Sequence, residues 1–394
     1  MFESPVQDYK SAARALESLR QELSAFAGPQ DHKLRITLSQ FLELIELFRG
    51  VSDDPQAVAT ISVSLIYGDL CKMTGVKQEL KRLINADSAD HDIALHTAFQ
   101  PENIKKCSTL FPTMFSLPTQ YQQRIHGEVL SGLNLGHVLQ AETGPTALTP
   151  LRRHIANDAE GIKYWLLPTL LDVLGARADA KKPETWAGSV LGNSQLTPEL
   201  LTFSRELTNL SFQGEVAVFD AFQRNLSQES FYTPIFADPS LSQRQKDTIF
   251  RLSRFWSWKT DARPLEPLIA GFKGLSQEDQ ELMSAFFLST GLAPGEPKIV
   301  VSYLPYTFTQ LYSKHLELNQ AISWGLESMC SLLRRIDEWK QSSSNQNARG
   351  IRNVSAQNVW FNHLRPMTKE QVQRGPLRFA IAESRGGVPE VIME

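Results

Sequence analysis

Asn319, Ser323 and Glu327 stand at i, i+4 and i+8 in a stretch that holds neither proline nor a turn cluster. On an α-helix this spacing keeps an amide oxygen, a hydroxyl and a carboxylate on adjoining parts of one face, drifting by roughly 40° per step. These are hard oxygen donors, the set that suits Mg²⁺ shared with a substrate phosphate. The plain alternative is a solvated polar stripe, although Leu318, Ile322, Trp324 and Met329 leave this helix little purely polar surface. A second group of acids, Asp87, Asp90 and Asp92 in NADSADHD, reads as a loop or helix start, where aspartate caps backbone amides. Its His91-Asp92 dipeptide would suit an HD-type metal-dependent phosphohydrolase if His32, His126, His137 and His154 supplied further ligands. The apolar helix expected before such a dipeptide is missing.

The run N-Q-A-I-S-W-G-L-E from Asn319 to Glu327 resembles the Asn-Ser-Glu metal motif of class I terpene synthases, N-D-x-x-S-x-x-x-E on a late helix. Gln320 replaces the usual Asp, and Leu326 stands where a basic residue often precedes the Glu. The resemblance implies an isoprenoid-synthase-like helical fold, Mg²⁺ as cofactor and a prenyl diphosphate as the small-molecule substrate. It also implies a facing carboxylate wall far upstream. Asp172, in YWLLPTLLDVLGARAD, looks like that wall, with Leu171, Val173 and Ala176 where the family would carry neighbouring acids and with Asp179 seven residues on. In this reading Asp172, Asn319, Ser323 and Glu327 hold metal, the diphosphate departs, and the allylic cation cyclises, which makes the protein a carbon-oxygen lyase. Departure of a diphosphate needs cations and a dry cavity. Arg251, Arg254 and Lys259 in RLSRFWSWK are the candidates, Arg254 being placed with Asp172 in the catalytic set. Trp165, Tyr303, Tyr306, Phe308 and Trp324 are candidates to line the pocket and stabilise a cation on their ring faces. The rival reading, of a different class, is a non-catalytic helical interaction protein in which the same polar residues are surface and the same rings are core.

The elements that would position these residues read as helices joined by short links, the habit of a bundle. Phe41, Leu44, Ile45 and Phe48 recur at three and four residue steps, as do apolar residues in 12–23 and 57–70. Asp53 or Asp54 with Pro55 can open the next helix. Further helices are expected over 119–142, 161–174 (with a kink at Pro168), 197–207, 240–258 and 276–288, the last opening on Ser-Gln-Glu-Asp, close to a capping box. The stretch 310–339 is the strongest long helix. KIVVSY at 298–303 is β-branched and suits either a strand or the entry to a buried helix. The expected class is therefore all-α, a mainly helical bundle with minor β near 298–303. Residues 1–340 would form one helical domain, 341–355 a polar linker or loop, and 356–394 a tail packed on the main domain.

Composition bounds the partners. Forty Lys and Arg balance 43 Asp and Glu with no long basic block, so the chain lacks the electrostatic footprint of a nucleic-acid or anionic-membrane binder. Cys71, Cys107 and Cys330 lie far apart with no C-x-x-C pair, which fits a reducing intracellular compartment. The first residues lack the apolar core of a signal peptide, and the longest apolar stretches fall short of the roughly 20 residues a membrane span needs. A cytoplasmic protein without a membrane span is the expectation. G-x-S-x-G, P-loop, Rossmann, H-E-x-x-H and kinase signatures are all missing from the sequence.

Overall fold

A computed structural model describes residues 21, 38–86, 91–131, 138–139, 141–156, 158, 160–175, 196–256, 263–289, 298–302, 316–341, 351–355, 367–383 and 389–393. Among them the chain is mainly helical, the class its periodicity predicts. In order come α1 (Leu38–Phe48), α2 (Pro55–Leu70), α3 (Thr74–Ile84), α4 (His91–Ala98), α5 (Pro112–Ser116) and α6 (Thr119–Ser131). Next are α7 (Thr149–Ile155), α8 (Gly161–Gly175), α9 (Leu196–Leu207), α10 (Leu210–Gln213), α11 (Glu215–Ser227) and α12 (Thr233–Phe236). The last are α13 (Gln243–Phe255), α14 (Glu266–Gly274), α15 (Gln277–Leu288), α16 (Leu318–Gln341) and α17 (Lys369–Val372). The described residues also hold four short strands: β1 (Lys298–Ser302), β2 (Ile351–Ser355), β3 (Phe379–Glu383) and β4 (Pro389–Met393).

Local chemistry sets many of the helix ends. Asp54 accepts the amide of Gln56 at 2.9 Å and Pro55 opens α2, where its missing N–H costs nothing. Ser242 and Gln245 close a full capping box at the start of α13, and the Ser276 hydroxyl accepts the Asp279 amide at 3.1 Å ahead of α15. Pro168 lies inside α8, where it removes one backbone donor from the ladder. The helix expected over 119–142 does not run to its end. Ala141 sits in the left-handed region at φ 57°, and Gly144 leads into a 3₁₀ turn over Pro145–Leu148.

The chain divides into two compact units, Met1–Gly132 with Arg153–Ser211, and Leu133–Arg152 with Phe212–Glu394, where the periodicity alone suggested one domain to residue 340. In the first unit α2 is central and packs on α4, α6 and α8. Its buried side contributes Ala57, Ile61, Val63 and Tyr67 to a core with Phe99, Phe111 and Ile125. The Tyr67 ring meets Phe111 edge-on at 5.1 Å, and its hydroxyl accepts the Met114 amide at 3.1 Å. Arg124 of α6 pairs with Asp158 at 2.7 Å and stacks on the Tyr164 ring at 4.1 Å, while Tyr121 donates to Asp54 at 2.5 Å. These bonds tie α6 to the entries of α2 and α8.

In the second unit α13 packs on α15, and α16 packs on both α14 and α15. The strands form one sheet in the order β1-β2-β4-β3, with β1 and β4 parallel to β2 and β3 antiparallel to β4. Lys298 faces Ile351 and Ser302 faces Ser355 across the first pair, so α16 is the crossover that parallel pairing requires. The stretch 341–355, read as linker from its polar composition, thus ends in a strand. Its order comes from pairing with β1, a contact roughly fifty residues away in sequence that local patterning does not encode. The tail docks on α16: the Ser328 hydroxyl accepts the Leu377 amide at 2.8 Å, and Arg335 Nε donates to the Phe379 carbonyl at 3.3 Å. No helix of the described residues is long and apolar enough to cross a membrane. All three cysteines are buried and none forms a disulfide.

Candidate functional site

The proposed metal triad lies on the outer side of α16. Ala321, Ile322, Leu326, Met329, Cys330, Leu333 and Ile336 form the buried seam, and that choice of seam turns Asn319, Ser323 and Glu327 to solvent. Ser323 donates to Glu327 Oε1 at 2.9 Å, a local i to i+4 bond on an exposed surface. Asp172 belongs to α8, and its side chain lies outside the described residues. Among the described residues no group of three His, Cys, Asp or Glu side chains is placed to hold a metal ion. Single alanine substitutions at Asn319, Ser323 and Glu327 are expected to change stability by less than about 0.5 kcal/mol. Their melting temperatures, taken with Mg²⁺ and with EDTA, check this; a Mg²⁺-dependent rise lost in all three would restore the triad as a metal site.

The arginines of α13 are in a different setting. Arg251 and Arg254, one turn apart, are only 7% and 5% exposed. Their guanidinium groups stack over two rings of α11, Arg251 over Phe219 and Arg254 over Phe222, each at 5.0 Å. Arg251 Nη2 donates to the Thr143 carbonyl at 2.9 Å. Arg254 Nη1 donates to Gln223 Oε1 at 2.9 Å, and its Nη2 donates to the Leu139 carbonyl. Arg254, expected as a catalytic cation, is therefore engaged in cross-linking α13 to α11 and to the chain around residues 139–143. A buried guanidinium must find acceptors, and backbone carbonyls of a turn supply them. Burial, with the neighbouring Arg254 charge adding to it, pushes the Arg251 guanidinium down to about 9, still above neutrality, so the group stays charged. Asp220 and Asp247 oppose that shift.

In the first unit, α6 carries a group of titratable side chains that sequence reading did not single out. Glu128 has its Oε2 shut off from solvent, and burial pushes its carboxyl up to about 8, with the Ser64 hydroxyl of α2 offsetting a part. The ring of His154 lies against Gly127, where a Cβ would come within 2.9 Å of Nδ1. Burial and then the His126 charge lower His154, and burial lowers His96, which contacts the Leu130 backbone. His126 approaches the Phe99 ring at 5.9 Å. No sequence signal marks Glu128, because a glutamate between Gly127 and Val129 is buried only through the helices that pack around it.

Other nominated residues fall elsewhere. Trp165 is core, buried in α8. His91 and Asp92 open α4, but their side chains lie outside the described residues, as do Asp87, Asp90, His32, His137, Asp179, Lys259, Tyr303, Tyr306 and Phe308.

These elements define a mainly helical, two-unit protein with a small mixed sheet, with the Glu128 carboxyl buried in the first unit and the arginine pair in the second. The chain belongs to the family of unknown function DUF6829, whose model matches residues 18–362. No curated protein and no solved structure matches it.

Proposed function

We propose that this chain is a non-catalytic helical interaction protein whose contact surface is the outer face of α2. One observation carries the reading. Between Pro55 and Gly68 the helix has no charged residue, yet one side of it faces water. Val58 and Ile66, two turns apart on either side of the exposed Ser62, are 45% and 61% exposed, and Met73 just beyond the helix is 59% exposed. An ordinary surface helix turns charged or polar side chains outward, and a helix that is apolar all round is normally covered. An amphipathic partner helix laid along this stripe would supply the missing cover, with its apolar positions meeting Val58, Ile66 and Met73.

The test is the double substitution Val58→Asp with Ile66→Asp, at exposed positions that leave the fold intact by circular dichroism and melting. The wild type is expected to capture a partner by cross-linking that the variant does not, and that purified partner is expected to slow hydrogen exchange over 58–73. Capture of the same partner by both proteins would sink the proposal. Light scattering of the chain alone reads whether the partner is a second copy.

The cyclase reading needs Asn319, Ser323 and Glu327 to share a water-free cavity, and their exposure gives it no support. Incubation with geranyl, farnesyl and geranylgeranyl diphosphates, with Mg²⁺ or EDTA, is expected to release no Mg²⁺-dependent diphosphate. Release of a terpene product would replace the interaction reading with that of a prenyl diphosphate lyase.

A further inference from the structure

Resting on the reading of the outer α2 face as a contact surface, we propose that its occupant is a second copy of this chain, whose own α2 crosses the first antiparallel with Ser62 on a two-fold axis. A two-fold contact requires that each residue meeting another be met by it in return, so the exposed pattern must match its own reversal. The α2 pattern does. The exposed Val58 and Ile66 stand four residues before and after the exposed Ser62, and the half-buried Ala59 and Leu65 stand three before and after it. Val58, Ser62 and Ile66 form one ridge of residues four apart, and two such ridges lie side by side when helices cross at the commonest angle, about −50°. Reversing one copy then sets its Ile66 beside Val58 of the other, and the small Ser62 at the middle lets the helices come close.

Charge and hydrogen bonding agree with self-pairing. No charged side chain stands between Pro55 and Gly68, so a second copy brings no like charge to the ridge, and a partner recognised through acidic or basic groups would find no counter-charge on it. The Ser62 hydroxyl already donates to the Val58 carbonyl at 2.9 Å, so covering it leaves no unmet donor. The antiparallel sense also sets the two helix dipoles in opposition, the favourable sense for helices side by side. The contact is short. The 16 residues of α2 make a strip about 24 Å long and about 10 Å wide, well under the roughly 800 Å² a side of a standard interface. A weak, reversible dimer is therefore expected, with a dissociation constant on the order of 10–100 µM.

The experiment follows the mass of the full chain by light scattering as its concentration rises from about 5 µM to about 500 µM, a range that brackets that constant. The wild type is expected to pass from monomer to dimer. Ser62→Lys and Ser62→Glu, both better helix formers than serine, bring like charges together on the axis. Each alone is expected to need at least about tenfold more protein to reach the same mass. Mixing the two is expected to restore the dimer as a one-to-one pair, which also shows that both variants are folded. A wild type still monomeric at the highest concentration overturns the proposal, as does a dimer undiminished in both charged variants or a mixture that gains no mass. The contact-surface reading fails separately. A foreign partner captured by the wild type and lost with Val58→Asp and Ile66→Asp would keep that reading while removing the second copy as occupant.

Discussion

Glutamine at position 128 is expected to remove a decline in stability that the wild type shows as pH rises from mildly acidic to mildly alkaline. The folded-state carboxyl, at about 8, lies above its ordinary value of 4.5. Between those values the native chain keeps a proton that the unfolded chain has released. The stability this contributes is fully present below pH 4.5 and is lost as pH climbs through 8, at roughly 1.4 kcal/mol per unit for one fully linked group. Glutamine has the shape of the protonated carboxyl and does not titrate. By pH 8 the variant is expected to exceed the wild type by a few kcal/mol. His96 and His154 act in the opposite sense: lowered by burial, they contribute stability above their ordinary 6.5 that is lost as pH falls. Both proteins share that slope, so the difference between their urea profiles, taken from about pH 5 to about pH 9, isolates Glu128. Parallel profiles would refute the assignment.

The second large effect is steric. Gly271 on α14 lies against α16, where an added Cβ would stand 2.5 Å from Ile322 Cγ2 and 3.2 Å from Leu326 Cδ1. A β-branched side chain held at one rotamer on a helix has no easy way to retreat. Gly271→Ala is therefore expected to cost about 1–3 kcal/mol through overpacking, against a helix-propensity gain of at most ~1 kcal/mol. The pairing makes a sharper prediction. Ile322→Ala opens the same space, so Gly271→Ala is expected to cost less, or to stabilise, in that background. A coupling of about 0.5–3 kcal/mol in the double-mutant cycle is the expected size for residues in contact, and additive costs would mean the two helices can move apart freely.

The helices were legible wherever their signals are local. Asp54 with Pro55, and Ser276, mark starts through side chains that satisfy amides two or three residues away, and each does so in the structure, whereas α13 starts at the Ser242–Gln245 capping box rather than at 240. The three and four residue steps of Leu326, Met329, Leu333 and Ile336 foretold a long helix and its buried seam, although α16 begins at Leu318 rather than at 310. The same periodicity already set Asn319, Ser323 and Glu327 on one face, but whether that face met a cavity or water depended on α14, α15 and β3 occupying the other side of the helix. KIVVSY remained open between strand and helix until Ile351–Ser355 paired beside it. The arginines illustrate the same limit. RLSRFWSWK shows three cations among aromatic rings, and it was α11 with its Phe219 and Phe222 that decided Arg251 and Arg254 would be enclosed.

By itself, then, the sequence determined where helices begin, which of their faces are apolar and which chemical groups are available, because those properties rest on neighbours within about one turn. Tertiary structure alone decided which polar groups lose water. Glu128, Arg251 and Arg254 are shut in by segments distant along the chain, and desolvation of a charge depends on everything packed around it rather than on the residues beside it in sequence.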